Sequence, residues 1–301
     1  MTLDLYGERL DAVPWLRGRQ YDVEELTGGL TNVNLKVTCE GRTVVVRIAQ
    51  EGSALLAIDH DHEHRNSLAA AQAGVGAGVV DYFPEAGLMV VEYIDGRTFT
   101  DDDLGASLPR VAAACRQLHA GPRFVNDFDM FEIQDRYLAC VQDHGFRLPD
   151  RYLDFLPAAE RIRAAFAVHP EPTVPCNNDL LAGNIIDDGE KLWLIDYEYS
   201  GNNEATFELG NIWSEATLPR ELLDVLITAY YGRDRPDQVA RAQLFALMSQ
   251  YGWTLWASIM HGSSTLDFDF WEWGMQKYER AVATFDGPEL EGLLDAAGGG
   301  R

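Results

Sequence analysis

Basic charge, cysteine pairs and long apolar runs are what this chain has least of. Its 24 Lys and Arg stand against 48 Asp and Glu, a net charge of −24 at pH 7, and its lysines are three: Lys36, Lys191 and Lys277. A surface so acidic repels nucleic acid and anionic membranes, which argues against both as partners. The four cysteines, Cys39, Cys115, Cys140 and Cys176, are widely spaced and form no CxxC pair. Neither a disulfide framework nor a cysteine zinc site is expected, and the thiols fit a reducing cytosol. No run approaches the roughly 18 apolar residues of a membrane span, and the opening MTLDLYGERLDAV carries acids, so no signal peptide or span is expected. The expectation is a cytoplasmic monomer or homodimer. Its acidity suits solubility in a salty cytoplasm and would also gather a cationic ligand, but it opposes a nucleotide. Any nucleotide site therefore needs local positive charge or a metal.

What is present is enough apolar residue for a core, 47% of 301 residues, in one large domain or two modest ones. From Thr27 the chain reads TGGLTNVNLKVTCEGRTVVVRIA. Val33, Leu35, Val37 and Cys39 alternate with polar residues, Glu40-Gly41 marks a tight turn, and a valine-rich strand runs from Arg42 to Ile48. A helix is predicted over Asp61 to Ala73, with Leu68, Ala71 and Val75 on one face and Gly74 as its stop. Short strands follow near Val79–Phe83 and Leu88–Tyr93. Beyond Ile94-Asp95-Gly96 helical periodicity takes over: Leu108–His119, Phe131–Asp143, Tyr152–Val168, Glu221–Tyr231 and Gln238 to about Met260. A β-like island interrupts it at Asn184–Asp188 and Leu192–Asp196. This predicts an α+β chain with a β-rich first lobe (1–94), a helical second lobe (95–301) and a hinge near 92–97. The closing AAGGGR is expected to fray.

Phosphoryl transfer requires an acceptor hydroxyl positioned by a carboxylate, metal ions to neutralise developing charge, and a cation on the nucleotide phosphates. In VPCNNDLLAGNIIDD, Asp179 precedes Asn184 by five residues, and Asp196 closes the next short strand in LWLIDYEYS. That order suits one loop acid toward the substrate and two oxygen ligands toward Mg²⁺. Taken singly, Asp179 and Asn184 read equally well as turn formers.

With CNNDLLAGNI, LIDYEYSGNNEATFELGNIWSE and GGLTNVNLKV together, the chain resembles the choline/ethanolamine kinases within the aminoglycoside-phosphotransferase-like group, over nearly its whole length. The resemblance implies a two-lobed protein-kinase-like fold and ATP and Mg²⁺ as cofactors. It makes Asp179 the catalytic base, Asn184 and Asp196 metal ligands, and Glu198 an accessory acid at the metal. Gly28, Gly29, Thr31 and Asn32 would cover the phosphates. Arg47 would take the cation's place on them, oriented by Glu63, and the main chain of Glu92 and Ile94 would hold adenine. One position departs: the family's loop begins with His where this chain has Asn177, which implies weakened or altered loop packing.

Trp253, Trp256, Trp271 and Trp273 fall within 21 residues. Trp253 and Trp256 are spaced to pack inward as a core seam. In the light of the resemblance, Trp253, Trp256, Phe268 and Trp273 fall on positions of an aromatic cage for an ammonium, with Glu215 facing it and Glu208 and Asn211 bracing that segment. A quaternary ammonium, lacking a hydrogen-bond donor, favours such a cage. The implied reaction is phosphorylation of a small cationic alcohol, choline first. The alternatives are ethanolamine, thiamine, an amino sugar or an aminoglycoside, or a nucleotide-binding pseudokinase suggested by Asn177. His60, His62 and His64 are read as solvated surface residues, and Asp101–Asp103 as a helix-start cluster.

Overall fold

The structure, a computed structural model, describes residues 2–26, 29–50, 53–56 and 58–298. It begins with helix α1 (Thr2–Leu10), strands β1 (Asp22–Leu26), β2 (Asn32–Cys39) and β3 (Arg42–Ala49), helices α2 (Ser53–Leu56) and α3 (His60–Gln72), and strands β4 (Val79–Phe83) and β5 (Leu88–Glu92). The five strands form one antiparallel sheet in the order β1-β2-β3-β5-β4. The turn between β2 and β3 has Glu40 at φ 49° and Gly41 at φ 81°, the left-handed pair that a two-residue hairpin requires. Alternation then does the rest. Leu35, Val37, Val44, Val46 and Ile48 face a core shared with Leu10, Val13 and Leu16, while Arg47 faces the other way.

Helix α3 starts where Asp59 accepts hydrogen bonds from the Asp61 and His62 amides, 2.9 and 3.0 Å, a side-chain cap. Its inward face corrects the sequence reading. Glu63, Asn66, Ser67 and Ala70 are buried, and Leu68 is 45% exposed. Polar residues can point inward here because partners await them: Asn66 donates to Asn126 Oδ1 at 2.8 Å and to Ser200 Oγ at 3.0 Å.

The rest is mostly helical: β6 (Arg97–Thr98), α4 (Asp101–Ala106), α5 (Leu108–His119), α6 (Met130–His144), α7 (Leu156–Val168), β7 (Thr173–Cys176), β8 (Ile185–Asp187), β9 (Leu192–Leu194), β10 (Gly201–Glu204), α8 (Ala205–Glu215), α9 (Arg220–Tyr231), α10 (Pro236–Ser263), α11 (Phe270–Phe285) and α12 (Leu290–Ala297). The helix expected from Tyr152 begins only at Leu156, after a 3₁₀ turn at Tyr152–Phe155. Pro157 explains this, since a residue without N–H fits only the first turn. Asp101–Asp103 do start a helix, with Thr100 and Asp103 forming a capping box. Helix α10, buried on nearly all sides from Gln238 to Met260, packs against α6, α8, α11 and α12, with its buried Arg241 paired to Glu204. Of the closing AAGGGR, Ala296 and Ala297 end α12, and 299–301 lie outside the described residues. No helix among the described residues is long and apolar enough to cross a membrane.

Two short ladders frame the loop of interest. β7 pairs with β10, Cys176 opposite Gly201, and β6, β8 and β9 form a three-stranded sheet. The loop from Asn177 to Asn184 leaves the first ladder and enters the second.

Candidate active site

The backbone is bent against ordinary preference once in this loop, at Asn178 (φ 67°), and once just past β9, at Asp196 (φ 63°). Left-handed backbone at a non-glycine residue costs about 1–3 kcal/mol and persists only where its surroundings hold it. Here they do. The Asn178 side chain is fully buried, reaching Tyr199 O at 3.1 Å and accepting from Asn203 Nδ2 at 3.0 Å. Asn177, also fully buried, donates through Nδ2 to Ile195 O (3.1 Å) and Asp196 O (2.8 Å), and its Oδ1 accepts from the Asp179 amide (3.1 Å).

The expected weakening at Asn177 is therefore not what the structure shows. The amide has donors and an acceptor at once, so a single side chain ties the Asp179 loop to the Asp196 loop. Asn184 completes the unit by donating to Asp179 O at 2.8 Å and accepting from the Ile195 amide at 3.0 Å. Beneath it Glu208, with no exposed surface, accepts from the amides of Asn177 (2.6 Å) and Asn178 (3.1 Å) and meets His119 Nε2 at 2.5 Å. His119 Nδ1 in turn meets the Tyr230 hydroxyl at 2.7 Å. Glu208 and Asn211 brace as expected, Asn211 Oδ1 accepting from Ser249 Oγ at 2.6 Å. His119, Cys176 and Glu208 lie within 4.8 Å of one another like a ligand set, but His119 and Glu208 are hydrogen-bonded within the protein, and the cluster holds the loop.

On one side of the loop stands Arg47. Its guanidinium meets Glu63 Oε1 at 2.9 Å and Asp196 Oδ1 at 2.7 Å. Burial opposes its charge, but Asp196 and Glu63 outweigh burial and hold the guanidinium above its ordinary value. Glu63 also takes His60 Nδ1 at 3.1 Å, and His64 stacks on Tyr82 at 4.2 Å. Those two histidines are thus packed rather than solvated, because α3 turns them toward the sheet. Thr31 Oγ1 and Asn32 Nδ2 both donate to Glu198, each at 2.7 Å. A Cβ at Gly29 would stand 2.3 Å from Asn32 O, so the loop's tight approach needs glycine there. Gly28 lies outside the described residues. The Glu92 amide donates to Gly78 O at 2.8 Å, and Ile94 sits half-buried in the link to β6.

Asn184, Asp196 and Glu198 offer only oxygen. Burial, then Asp196 and Glu63, push the Glu198 carboxyl well above its usual range. Such hard, crowded acid suits a divalent cation such as Mg²⁺. Each already has a partner in the protein: Glu198 accepts from Thr31 and Asn32, Asp196 Oδ1 from Arg47, and Asn184 donates through Nδ2 to Asp179 O.

On the other side lies Glu215 at the end of α8. Burial, then Asp196 and Glu215, raise the Asp179 carboxyl well above the ordinary range, while Lys277 pulls it down. The Glu215 carboxylate is ion-paired through Oε2 with Lys277, both side chains buried. Lys277 Nζ also lies 4.2 Å from the ring centre of Trp273. Trp273 packs edge-on to Trp256 at 5.3 Å, Trp256 Nε1 donates to the Tyr199 hydroxyl at 2.7 Å, and Tyr199 meets Trp253 at 4.9 Å. Trp253 and Trp256 are 5% exposed and belong to the core, while Phe268 is 41% exposed and touches Phe270. The ring against Trp256 is Phe270, 5.7 Å away. Tyr199 and Lys277 went unread in the sequence, although Tyr199 sits inside IDYEYS and Lys277 is one of three lysines.

A small antiparallel sheet over a helical body, a strand arginine paired to a helix acid, and Asp, Asn and Asp joined through the side-chain amides of Asn177 and Asn184 define a phosphotransferase of protein-kinase-like fold. The family model for choline/ethanolamine kinase matches residues 23–223. This chain belongs to that family, whose members transfer phosphate to an alcohol group. The chain is 25% identical over 304 residues to a probable ethanolamine kinase of Arabidopsis thaliana, covering 83% of this chain and 76% of that one. A choline/ethanolamine kinase family protein from Mesorhizobium loti shares 31% identity at a TM-score of 0.87, with all of both chains covered. The choline kinase LicA from Streptococcus pneumoniae shares the fold at a TM-score of 0.81 and 20% identity, over 94% of this chain and 99% of that one.

Proposed function

We propose that this kinase transfers the γ-phosphoryl group of ATP, with Mg²⁺, to the hydroxyl of a small cationic amino alcohol. The observation that carries the reading is the continuity of the site: Asp179 is hydrogen-bonded into one unit with Asn184 and Asp196, and lies within the electrostatic reach of Glu215. Asp179 receives the acceptor hydroxyl and its proton. Arg47, kept charged by Glu63, holds the nucleotide phosphates with a fork suited to them. Gly28, Gly29, Thr31 and Asn32 cover the phosphates, and the main chain of Glu92 and Ile94, at the hinge near 92–97, holds adenine. Asn184 and Asp196, with Glu198 accessory, are the residues that would hold Mg²⁺, which supplies charge neutralisation at the transferring group. The acidic surface helps to collect the cation.

The finer reading is choline, supported by the aromatic run Trp273, Trp256, Tyr199 and Trp253, whose Trp273 lies against the Lys277 ammonium paired with Glu215. Phe268 joins the ligand from its exposed position at the rim. A second reading, a primary-ammonium alcohol such as ethanolamine, is favoured by Glu215 Oε1, a buried oxygen with no hydrogen-bond partner among the described residues. ADP release over choline, ethanolamine, thiamine and amino sugars tests the proposal. At least one amino alcohol should raise it well above background. No stimulation by any of them would overturn the reading in favour of a nucleotide-binding pseudokinase.

A further inference from the structure

Lys277 stands where a substrate cation is expected. Its ammonium is paired with Glu215 Oε2 and lies 4.2 Å from the face of Trp273, and its side chain is 3% exposed. It thereby makes both contacts, carboxylate and aromatic face, that a ligand ammonium would seek. The seat is not sealed: Glu215, Trp273 and Lys277 line a cleft of about 590 Å³. One oxygen, Glu215 Oε1, is buried and unpartnered among the described residues, and a buried acceptor left unmet favours any donor that can reach it.

From this geometry we infer that Lys277 is a specificity-determining residue, a tethered cation that competes with the substrate for the Glu215–Trp273 seat. The inference rests on the proposed acceptor site and deepens it. A primary ammonium can donate to the free Oε1 while Lys277 keeps Oε2, so it enters without displacing the lysine. A quaternary ammonium has no proton to donate and needs the aromatic face that Lys277 covers, so it enters only by expelling Lys277. Lys277 thus handicaps a quaternary cation relative to a primary one, so that choline is admitted only with Lys277 displaced, and the selectivity of the site is set by a residue that never touches the reacting oxygen.

Two experiments test this. In the first, tetramethylammonium is titrated against tryptophan fluorescence. Lys277→Gln should bind it at least tenfold more tightly than the wild type and raise the ratio of kcat/KM for choline to that for ethanolamine at least tenfold. Equal affinity, or no binding to either protein, overturns the inference. The second needs no variant and so survives misfolding of Lys277→Gln. Amine acylation of the wild type is read by mass spectrometry at its three lysines. Lys277 should label slowly, and saturating tetramethylammonium should accelerate it at least fivefold relative to Lys36 and Lys191. A Lys277 rate unchanged or slowed by the cation shows that the lysine keeps its seat and overturns the inference. If no alcohol is phosphorylated the proposed reaction fails, and both cation measurements still decide the role of Lys277.

Discussion

The two flanks of Asp179 are built in different ways. Toward the nucleotide, charges are paired across short motifs: Arg47 with Glu63 and Asp196, Glu198 with Thr31 and Asn32. Toward the acceptor, Glu215, Trp256 and Trp273 come from three different helices, and a lysine fills the space between carboxylate and ring. The flank proposed for the nucleotide draws its residues from short segments: β2, β3, the start of α3 and the stretch after β9. The flank proposed for the acceptor depends on the packing of α8, α10 and α11, where by the inference above one residue sets what the site admits.

Breaking the residue between the flanks should have the largest effect. Asp179→Asn is expected to lower kcat by about 10²- to 10⁴-fold, the usual worth of a positioned base, with ATP binding by calorimetry nearly unchanged. Near-normal turnover in that variant would remove Asp179 from the reaction. On the nucleotide flank, Arg47→Met should lower kcat/KM for ATP by about 10²-fold. Arg47→Lys should recover part of it, because the charge returns without the fork. Equal losses in the two variants would mean that the fork, and not charge, is what Arg47 supplies.

Beneath both flanks the loop bracing gives a smaller effect. Asn177→Ala leaves the carbonyls of Ile195 and Asp196 without their donor, and a loss of about 1–3 kcal/mol in unfolding free energy is expected, read by denaturant titration. An unchanged midpoint would show that Asn177 does not carry the loop. Smallest of all, Leu68→Ala on the exposed face of α3 should shift stability by no more than about 0.5 kcal/mol. A loss of several kcal/mol would place Leu68 in a core.

That last contrast shows where sequence reading succeeds. The β2–β3 hairpin was legible because alternation of period two and a Glu-Gly turn report on the backbone directly. The inward face of α3 was not, because Glu63, Asn66 and Ser67 are buried against partners that lie up to 134 residues away, as Ser200 does for Asn66, and apolar spacing cannot reveal a polar seam. The start of α7 was hidden for a simpler reason, since Tyr152 and Phe155 carry helical spacing into a turn that Pro157 closes off. In the site, Asp179, Asn184 and Asp196 were legible from their order, and Arg47 from its place in the hairpin. Asn177 stands out in the sequence as a departure, but its three side-chain hydrogen bonds depend on where Ile195 and Asp196 return. Lys277 was invisible as a site residue, because only the packing of α11 against α8 brings it to Glu215.

The most direct test of the reaction at Asp179 is phosphorus NMR of the product formed from ATP, Mg²⁺ and an amino alcohol. A phosphomonoester of the alcohol should appear in one-to-one proportion with ADP and vanish when the metal is chelated. ADP accompanied only by inorganic phosphate would contradict it.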